Sequence, residues 1–402
     1  MKRVLLITNH FFPEEFRCND LAFELSHKGY HVTVLTAIPD YPQGAFHRGY
    51  GLLRKRVETV KGVKIIRSFI IPRGAGGKIR LMLNYFSSFM AQCWDAFWLG
   101  LIRKYDYILV HETSPVMVGI PGVIVSRLTR IPLDFWVLDL WPESLQDAGG
   151  IDNPRILRFF ELMTTWIYKH ASHILISSRG FEGSIIAKGP FKEKLVYFPN
   201  WADVALKELS DYALPAMPGG FRVMFAGNIG EAQDMEHLMS TALELKSEKS
   251  IHFCIVGDGR KRPWVEEYVN KNKLGDTVHL LGRHPIESMP SFFRVADVML
   301  VTLKDSKIFN RTAPAKIQAY MNAGKPIAAM MNGEGASVVL EAGCGFSVPA
   351  GDSKAFAELI KTMQQMDKED LSMMGARGKK YCSEHFDFHS SVELVERLMI
   401  HD

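Results

Sequence analysis

The sequence predicts an α/β protein made of two doubly wound, Rossmann-like domains that face each other across a cleft. Short apolar segments rich in β-branched residues alternate with amphipathic segments of helical length. This alternation stops in a stretch rich in proline, residues 201–220 (WADVALKELSDYALPAMPGG), and then starts again. A chain of 402 residues is long enough for two or three such domains.

The first predicted domain is 1–200. A strand at 4–8, a helix ending at Gly29 and a strand at 32–36 form a βαβ unit, which requires a parallel sheet. Residues 50–71 alternate loosely and suggest a hairpin or an inserted strand. The later predicted elements are strands at 107–110, 133–140, 173–178 and 195–200, and helices at 79–102, 116–129, 154–170 and 179–188.

The second predicted domain is 221–384, after a linker at 201–220. Its predicted strands are 222–227, 252–257, 278–282, 297–303, 327–330 and 345–349, and its predicted helices include 234–248, 262–272, 286–294, 352–366 and 370–382. The last segment, 385–402, is helical and is expected to pack back on the first domain. Ligands of such sheets bind at the carboxyl ends of the strands.

Cysteine usage indicates a reducing compartment. The five cysteines are scattered and form no CxxC pair, which argues against a disulfide framework or a zinc site. The apolar run at 4–7 is too short for a signal peptide. The chain also lacks the P-loop, GxGxxG, HExxH and GxSxG motifs, which argues against P-loop ATPases, dinucleotide-binding enzymes, zincins and serine hydrolases.

Positive charge is concentrated in the first half. Residues 1–200 carry 25 Lys and Arg against 17 Asp and Glu, a net charge of +8, whereas the remainder carries 23 against 27, a net charge of −4. Within 48–80 there are ten basic residues and one acid, Glu58. This surplus predicts contact with an anionic surface. Residues 79–102 beside it allow three interpretations: a buried core helix, a helix on a membrane surface, or a membrane span.

The segment Lys304–Met330 is predicted to be a loop, a short helix and a strand. Pro314 suits the first helical turn, and Thr312 can cap it. Lys316 in the first turn opposes the helix dipole, and a bound anion would resolve this conflict. A solvated lysine is the alternative.

Glycines and cations follow several strands of the second domain and predict a basic rim for a phosphate ligand. These candidates are Gly227, Asn228 and Gly230, then Gly257, Asp258 and Arg260, then Arg283 and His284, together with Lys304, Arg311 and Lys316. In the first domain, Asp139 follows a buried strand and is expected to point into the cleft or to cap a helix. Other loop candidates there are His10, Asp40 and Glu143.

The chain resembles the retaining glycosyltransferases of family 4, which have the GT-B fold. The resemblance rests on an ordered set of segments: HFFPEE at 10–15, DLWPES at 139–144, FAGNIGEAQD at 225–234, IVGDGRKR at 255–262 and PAKIQAYMNAGKPI at 314–327. The subgroup with NIGEAQD, DLWPES and KIQ-Y is similar to bacterial L-fucosamine transferases of O-antigen synthesis, which transfer N-acetylated aminosugars.

This resemblance implies that the second domain binds a nucleotide-activated sugar and the first binds the acceptor, without a metal or another cofactor. Gly227 and Asn228 would lie near the diphosphate, Arg283 and His284 near the base, and Lys316 near the phosphates or ribose. The sequence also differs from many members of this family. Where they carry two acidic residues, this chain has Arg311 and Ala319, with Gln318 beside Ala319. Where they carry an Arg and a Lys, it has Asn228 and Gln233.

The resulting hypothesis is a retaining, metal-independent transferase that uses a UDP-sugar and a lipid-linked saccharide in bacterial capsule or O-antigen synthesis. Asp139 and Lys316 would be its catalytic residues, and His10, Asp40 and Glu143 would lie on the acceptor side. We expect it in the cytoplasm, peripheral at the inner face of the plasma membrane through the basic 48–80 stretch. The alternatives are a UDP-sugar 2-epimerase on the same fold and a polyanion-binding module. Nucleic acid is not an expected partner, because few aromatic residues lie among the cations.

Overall fold

A computed structural model describes residues 2–74, 77–102, 104–147, 150–202 and 212–401. The chain divides into two units, one containing Met1–Phe198 and Ser391–Asp402 and the other containing Pro199–Ser390. The first unit therefore ends at Phe198, where the sequence predicted 200, and the chain returns to it at Ser391, where the sequence predicted 385. Residues 203–211 of the predicted linker lie outside the described part of the chain.

The first unit contains an eight-stranded sheet. Its strands are β1 (Arg3–Thr8), β2 (His31–Ala37), β3 (Val57–Val60), β4 (Val63–Ser68), β5 (Tyr107–Glu112), β6 (Leu133–Val137), β7 (His173–Ile176) and β8 (Leu195–Tyr197). They are arranged in the order β3-β4-β2-β1-β5-β6-β7-β8. Pairing is parallel except between β3 and β4, which form an antiparallel hairpin within the segment 50–71.

Seven α-helices accompany this sheet in the described residues: α1 (Arg17–His27), α2 (Lys78–Ile102), α3 (Gly119–Thr129), α4 (Glu143–Asp147), α5 (Pro154–His170), α6 (Glu182–Ala187) and the C-terminal α14 (Phe388–His401). The start of α5 shows how local sequence sets a boundary. Oδ1 of Asn153 accepts a 3.0 Å hydrogen bond from the Arg155 N–H, and Pro154 occupies the first helical position.

The second unit contains a six-stranded, fully parallel sheet. Its strands are β9 (Phe221–Ala226), β10 (Ile251–Val256), β11 (Val278–Gly282), β12 (Val298–Thr302), β13 (Ile327–Met330) and β14 (Gly345–Val348), in the order β11-β10-β9-β12-β13-β14. Its helices are α7 (Met235–Glu244), α8 (Arg262–Lys271), α9 (Met289–Val295), α10 (Ala315–Asn322), α11 (Glu334–Glu341), α12 (Ser353–Gln365) and α13 (Lys368–His385).

Both faces of the second sheet are covered. Along β9, Val223 and Phe225 belong to one apolar cluster, and Met224 and Ala226 belong to another on the opposite face. This explains why the strands read as continuous apolar runs rather than as alternating ones. Helix α10 begins one residue after Pro314, but the predicted cap is wrong: the Thr312 hydroxyl donates to the carbonyl of Ile308 at 3.0 Å.

The strand order reverses once beside the first strand of each parallel set. In the first unit the reversal lies between β1 and β5, and in the second it lies between β9 and β12. Loops at such a position diverge to opposite faces and leave a crevice at the carboxyl edge of the sheet. The segments that follow β1, β5, β9 and β12 are therefore where a ligand site is expected.

Candidate functional site

Two glycine loops meet at the carboxyl edge of the second sheet. Gly227 follows β9 and Gly257 follows β10, with φ angles of +137° and +139°. A Cβ atom on Gly257 would lie 1.9 Å from the carbonyl oxygen of Gly227. The loops are also joined by a 2.8 Å hydrogen bond from the Ile229 N–H to the carbonyl of Asp258. A side chain at either position would strain the backbone or collide with a neighbouring atom, so glycine is required at both. The absence of side chains also leaves the backbone open to a ligand.

Asn228 lies in contact with two further glycines. A Cβ atom on Gly230 would lie 2.5 Å from Nδ2 of Asn228, and a Cβ atom on Gly259 would lie 2.6 Å from Oδ1 of Asn228. The side chain of Asn228 is therefore held by backbone on both sides, although the residue is exposed. The loop therefore carries an uncharged amide group at this position.

Lys316, in the first turn of α10, lies directly against the first glycine loop. A Cβ atom on Gly227 would be 2.8 Å from Cε of Lys316. The amine Nζ donates a 2.6 Å hydrogen bond to Oε1 of Gln233 and lies 3.5 Å from the ring centroid of Phe225. Burial lowers the pKa of Lys316 well below its usual value. The structure thus brings together Gly227, Gly257 and Lys316.

The remainder of α10 is anchored to the end of β9. The hydroxyl of Tyr320 donates to the carbonyl of Ala226 at 3.0 Å and accepts from the N–H of the same residue at 3.1 Å. This pair of bonds fixes the first turn of α10 beside the loop that starts at Gly227. Gln318 is 3% exposed, and its Oε1 has no hydrogen-bond partner among the described residues.

At Lys304 the predicted basic rim also contains acidic residues, which were not among the predicted site residues. Nζ of Lys304 bonds to Glu231 and lies 3.6 Å from Glu236. Lys261 bridges the same two carboxylates at 3.0 and 2.5 Å. Hydrogen bonds from Lys304 and Lys261 lower the pKa of Glu231. These four residues, Lys304, Lys261, Glu231 and Glu236, form a largely neutral cluster, so the two lysines carry less free positive charge than the sequence indicated.

The remaining predicted donor residues lie around these loops. Arg260 and Arg283 are exposed, and Oδ1 of Asp258 accepts from the N–H of Gly259 at 2.8 Å. Arg311 ends a single 3-10 turn, Phe309–Arg311, ahead of α10.

His284 has both ring nitrogens engaged. Nε2 lies 2.9 Å from the carbonyl of Leu281, and Nδ1 lies 3.1 Å from the hydroxyl of Tyr212. The carbonyl can only accept, which assigns the proton to Nε2. The ring centroid is also 4.7 Å from that of Phe292.

In the first unit, a polar network follows β1. Nδ1 of His10 is 2.7 Å from Oε2 of Glu14, and Nε2 of His10 is 2.8 Å from the guanidinium of Arg73. Because the guanidinium can only donate, Nε2 carries a lone pair and Nδ1 donates to Glu14. Oε1 of Glu14 accepts from the N–H of Asp40 at 2.9 Å, and Oδ2 of Asp40 accepts from the N–H of Arg73 at 2.9 Å. The structure therefore joins His10 and Asp40.

A second acidic group follows β5 and β6. Glu112 is 0% exposed, and its Oε2 accepts from the N–H groups of Leu138 and Asp139, both at 3.1 Å. These bonds end β6 at Val137, where the sequence predicted a strand through 140. Burial and the nearby charge of Asp139 raise the pKa of Glu112 well above its usual value.

Asp139 itself is held by two hydroxyl groups. Oδ2 accepts a 2.5 Å hydrogen bond from Ser114, and Oδ1 accepts one from Ser144 in α4. Asp139 as a whole is half-buried. Predicted acceptor-side Glu143, by contrast, is paired with Lys188 at 2.6 Å and with Ser184, and these contacts join α4 to α6.

Known proteins match both halves of the chain. Residues 15–201 match the model of the glycosyl transferase 4-like domain, and residues 220–365 match that of the glycosyl transferases group 1. Each half of the chain therefore matches one glycosyltransferase domain model. These matched ranges contain every predicted site residue except His10, which lies just ahead of residue 15.

Two curated proteins similar to this chain are named as glycosyltransferases. The chain is 28% identical over 325 residues to the probable glycosyltransferase WbjE of Pseudomonas aeruginosa, covering 76% of this chain and 78% of that one. It is 23% identical over 292 residues to the putative colanic acid biosynthesis glycosyl transferase WcaI of Escherichia coli K12, covering 70% of each. The crystal structure of Anabaena HepE in complex with UDP superposes with a TM-score of 0.72, at 15% identity and 100% coverage of both chains. The predicted GT-B fold is confirmed.

Two residues of the candidate site were absent from the predicted set. Arg73 lies in the basic stretch and was read as a surface cation, but its guanidinium contacts His10. Glu112 ends the buried strand YILVHE, and a carboxylate at the end of an apolar run is a signal that could have identified it. Among the described residues, no three His, Cys, Asp or Glu side chains are grouped as a metal site.

Proposed function

We propose that this glycosyltransferase moves an N-acetylated aminosugar from a UDP-sugar to a lipid-linked saccharide with retention of anomeric configuration. The observation that carries the proposal is the meeting of Gly227, Gly257 and Lys316 at the carboxyl edge of the second sheet. Exposed backbone and a single amine at one point suit a diphosphate. The resemblance to the aminosugar subgroup supports the choice of sugar.

The leaving group in this reaction is UDP, whose diphosphate gains negative charge as the bond to the sugar breaks. Lys316 and the backbone N–H groups of the glycine loops would stabilise that charge, and no metal ion or other cofactor is required. Loss of one fixed donor of this kind typically raises a reaction barrier by about 2.7–4 kcal/mol. Asn228, Arg260, Arg283 and His284 would contact other parts of the donor.

The acceptor would bind to the first unit near Asp139, His10 and Asp40. The hydroxyls of Ser114 and Ser144 hold the Asp139 carboxylate in one orientation, which suits a group that positions an acceptor hydroxyl. A lipid-linked acceptor implies work at the cytoplasmic face of the inner membrane. Capsule or O-antigen synthesis is consistent with the colanic acid biosynthesis named for the Escherichia coli relative.

The deciding experiment supplies the purified enzyme with UDP-N-acetyl-aminosugars and a lipid-linked saccharide. We expect a glycosylated lipid by mass spectrometry, an unchanged anomeric configuration by NMR, and equal rates with and without EDTA. UDP release that does not depend on Lys316 would contradict the donor site. Turnover of the UDP-sugar without an acceptor would instead indicate a 2-epimerase. Salt-sensitive polyanion binding without stabilisation by UDP would indicate a binding module.

A further inference from the structure

Helix α2 has its polar side turned inward. Asn84, Ser88 and Gln92 are spaced four residues apart and are all buried. Nδ2 of Asn84 donates to Oδ2 of Asp40 at 2.8 Å, and Nε2 of Gln92 donates to Oγ of Ser88 at 3.1 Å and to Oδ1 of Asn9 at 3.3 Å. Polar side chains thus attach α2 to the loop network of the first unit. This arrangement reverses the usual one, in which the apolar side of a helix faces the interior.

The opposite side of α2 is apolar and exposed. We call this set the α2 stripe: Ile79, Met82, Leu83, Phe86, Met90, Trp94, Phe97, Trp98, Leu101 and Ile102. Their exposed fractions range from 39% at Phe97 to 73% at Ile79 and Ile102. Spacings of three and four residues place them along one side of a helix about 37 Å long. The core-helix interpretation of residues 79–102 is therefore wrong for this side.

A second exposed apolar row continues the surface on α5. It consists of Ile156, Phe159, Leu162 and Trp166, with exposed fractions of 40–58%. A shallow cleft of about 340 Å³ joins the two rows and is lined by Phe97 of α2, Trp166 of α5 and Val123, Ile124, Arg127 and Leu128 of α3. The α2 stripe and the α5 row therefore form one continuous surface, which we call the apolar face. Large apolar patches of this kind mark binding sites on soluble domains.

Basic residues lie beside the apolar face on the same helices, and the acidic residues of α2 and α5 are hydrogen-bonded or ion-paired. Exposed arginines occupy the first turn of α2 (Arg80), the end of α3 (Arg127, Arg130) and the first turns of α5 (Arg155, Arg158). The single acid of α2, Asp95, accepts from the Ser68 hydroxyl at 2.7 Å, and the single acid of α5, Glu161, is paired with Arg158 at 2.8 Å. Positive charge beside exposed tryptophans is typical of protein surfaces that bind an anionic membrane interface.

We propose that the apolar face docks on an anionic phospholipid bilayer, with α2 lying in the plane of the interface. Trp94, Trp98 and Trp166 would reach the boundary between headgroups and acyl chains, and the arginines would contact phosphates. Among the described residues, no helix is long and apolar enough to cross a bilayer. This docking does not depend on which sugar is transferred.

The proposal moves the principal membrane contact away from the basic 48–80 stretch. Arg67 in that stretch is 1% exposed and paired with Glu58 at 2.7 Å, and Arg73 contacts His10. These two cations are thus committed to the interior. Arg54 and Lys55 remain exposed. This stretch can therefore contribute electrostatic attraction, together with exposed apolar side chains such as Leu52, Leu53 and Val57, whereas the α2 stripe has ten.

The first experiment is flotation of the full-length protein with vesicles of phosphatidylethanolamine and phosphatidylglycerol. We expect binding of the wild type and an at least tenfold loss in the variant Phe86→Gln/Met90→Gln/Trp94→Gln. The matched control, Leu243→Gln/Leu340→Gln/Met373→Gln, changes three exposed apolar residues of the second unit and is expected to stay within twofold. Equal thermal unfolding by circular dichroism would show that the variants are folded.

The second experiment measures quenching of tryptophan fluorescence by lipids brominated on the acyl chain. We expect strong quenching in the wild type and its loss in Trp94→Phe/Trp98→Phe/Trp166→Phe, which retains most of the apolar area and should still float. Two results would overturn the proposal. One is vesicle binding lost in Arg54→Glu/Lys55→Glu but unchanged in the α2 variant. The other is a wild-type dimer in sedimentation that the α2 variant abolishes while vesicle binding persists, since a second copy would then cover this face.

Discussion

The Nζ atom of Lys316 lies 2.6 Å from Oε1 of Gln233, so this amine beside the first glycine loop is held by a neutral amide. The two residues come from different elements, the first turn of α10 and the segment before α7. Gln233 can accept from an ammonium or from a neutral amine, and it adds no negative charge that would compete with a diphosphate. Lys316 is thereby directed toward Gly227, and no carboxylate at position 233 competes for the ammonium that a bound diphosphate would favour.

Replacing this amine is expected to affect the reaction more than the fold. In Lys316→Met the apolar stem is kept, but the fixed cation is lost at the leaving group. We expect kcat/KM to fall by about 100- to 1,000-fold, the range for loss of one transition-state donor. Steady-state UDP release with acceptor present measures this. As a control, Lys361→Met removes a cation from α12 that is paired with the neighbouring Glu358, and a comparable loss there would refute the assignment.

Donor binding is expected to take up a proton. Burial lowers the pKa of Lys316 in the free enzyme, and a diphosphate beside Nζ would favour the ammonium and raise that pKa again. Between the two pKa values, the complex holds more protons than the free enzyme, so affinity for the donor increases as pH falls.

Calorimetry with UDP-N-acetylglucosamine in two buffers of different ionisation enthalpy measures this uptake directly. The nucleotide-sugar diphosphate carries no group that titrates near neutral pH, so uptake would come from the protein. The variant Lys316→Met should bind without it. Equal proton uptake in that variant would assign the effect to another group.

Much of the fold could be predicted from apolar periodicity, because parallel strands covered on both faces give short continuous apolar runs. Apolar periodicity could not predict which side of helix α2 faces the interior. The sequence of α2 is apolar on most sides, and burial alone would turn Asn84 and Gln92 outward. They face inward because Asp40 and Asn9, distant in sequence, supply hydrogen-bond partners.

In the candidate site, too, contacts between residues distant in sequence could not be predicted. Glycines after strands were correctly expected to form close loops, since Gly227 and Gly257 adopt positive φ. The partner of Lys304 could not be predicted, because its hydrogen bond to Glu231 joins residues 73 positions apart. Local sequence specifies which backbone shapes are possible, but it does not show which charges neutralise each other in the folded state.

Gly257→Ala tests the contact between the two glycine loops. A Cβ atom would lie 1.9 Å from the carbonyl oxygen of Gly227, and φ of +139° is unfavourable for alanine. We expect a loss of about 1–3 kcal/mol in the free energy of unfolding and weaker UDP binding, because the loop must move. Gly275→Ala is the control, since no heavy atom lies within 4 Å of its Cβ position. Urea unfolding and UDP titration measure both effects, and equal behaviour of the two variants would contradict this account.

Asp139→Asn tests the acceptor side separately from the donor side. The amide keeps the size of the carboxylate but loses its charge, and its NH₂ group cannot accept from Ser114 or Ser144. We expect transfer to the lipid-linked acceptor to slow by at least tenfold, while UDP binding by calorimetry stays unchanged. Because the proposed donor site lies in the other unit, weaker UDP binding would indicate that the substitution acts through the fold instead.

Glu112→Gln is expected to stabilise the protein at neutral pH. Burial and the charge of Asp139 raise the pKa of Glu112, so in the folded state it keeps a proton that the unfolded chain releases near pH 4.3. Above that pH the folded state binds more protons than the unfolded state, and the wild type loses stability as pH rises, by about 1.4 kcal/mol for each unit between the two pKa values. Glutamine cannot ionise and avoids this loss. In thermal unfolding from pH 4 to 8, the stability of the variant relative to the wild type should increase with pH. A difference in stability that does not change with pH would mean that Glu112 is ionised in the folded protein.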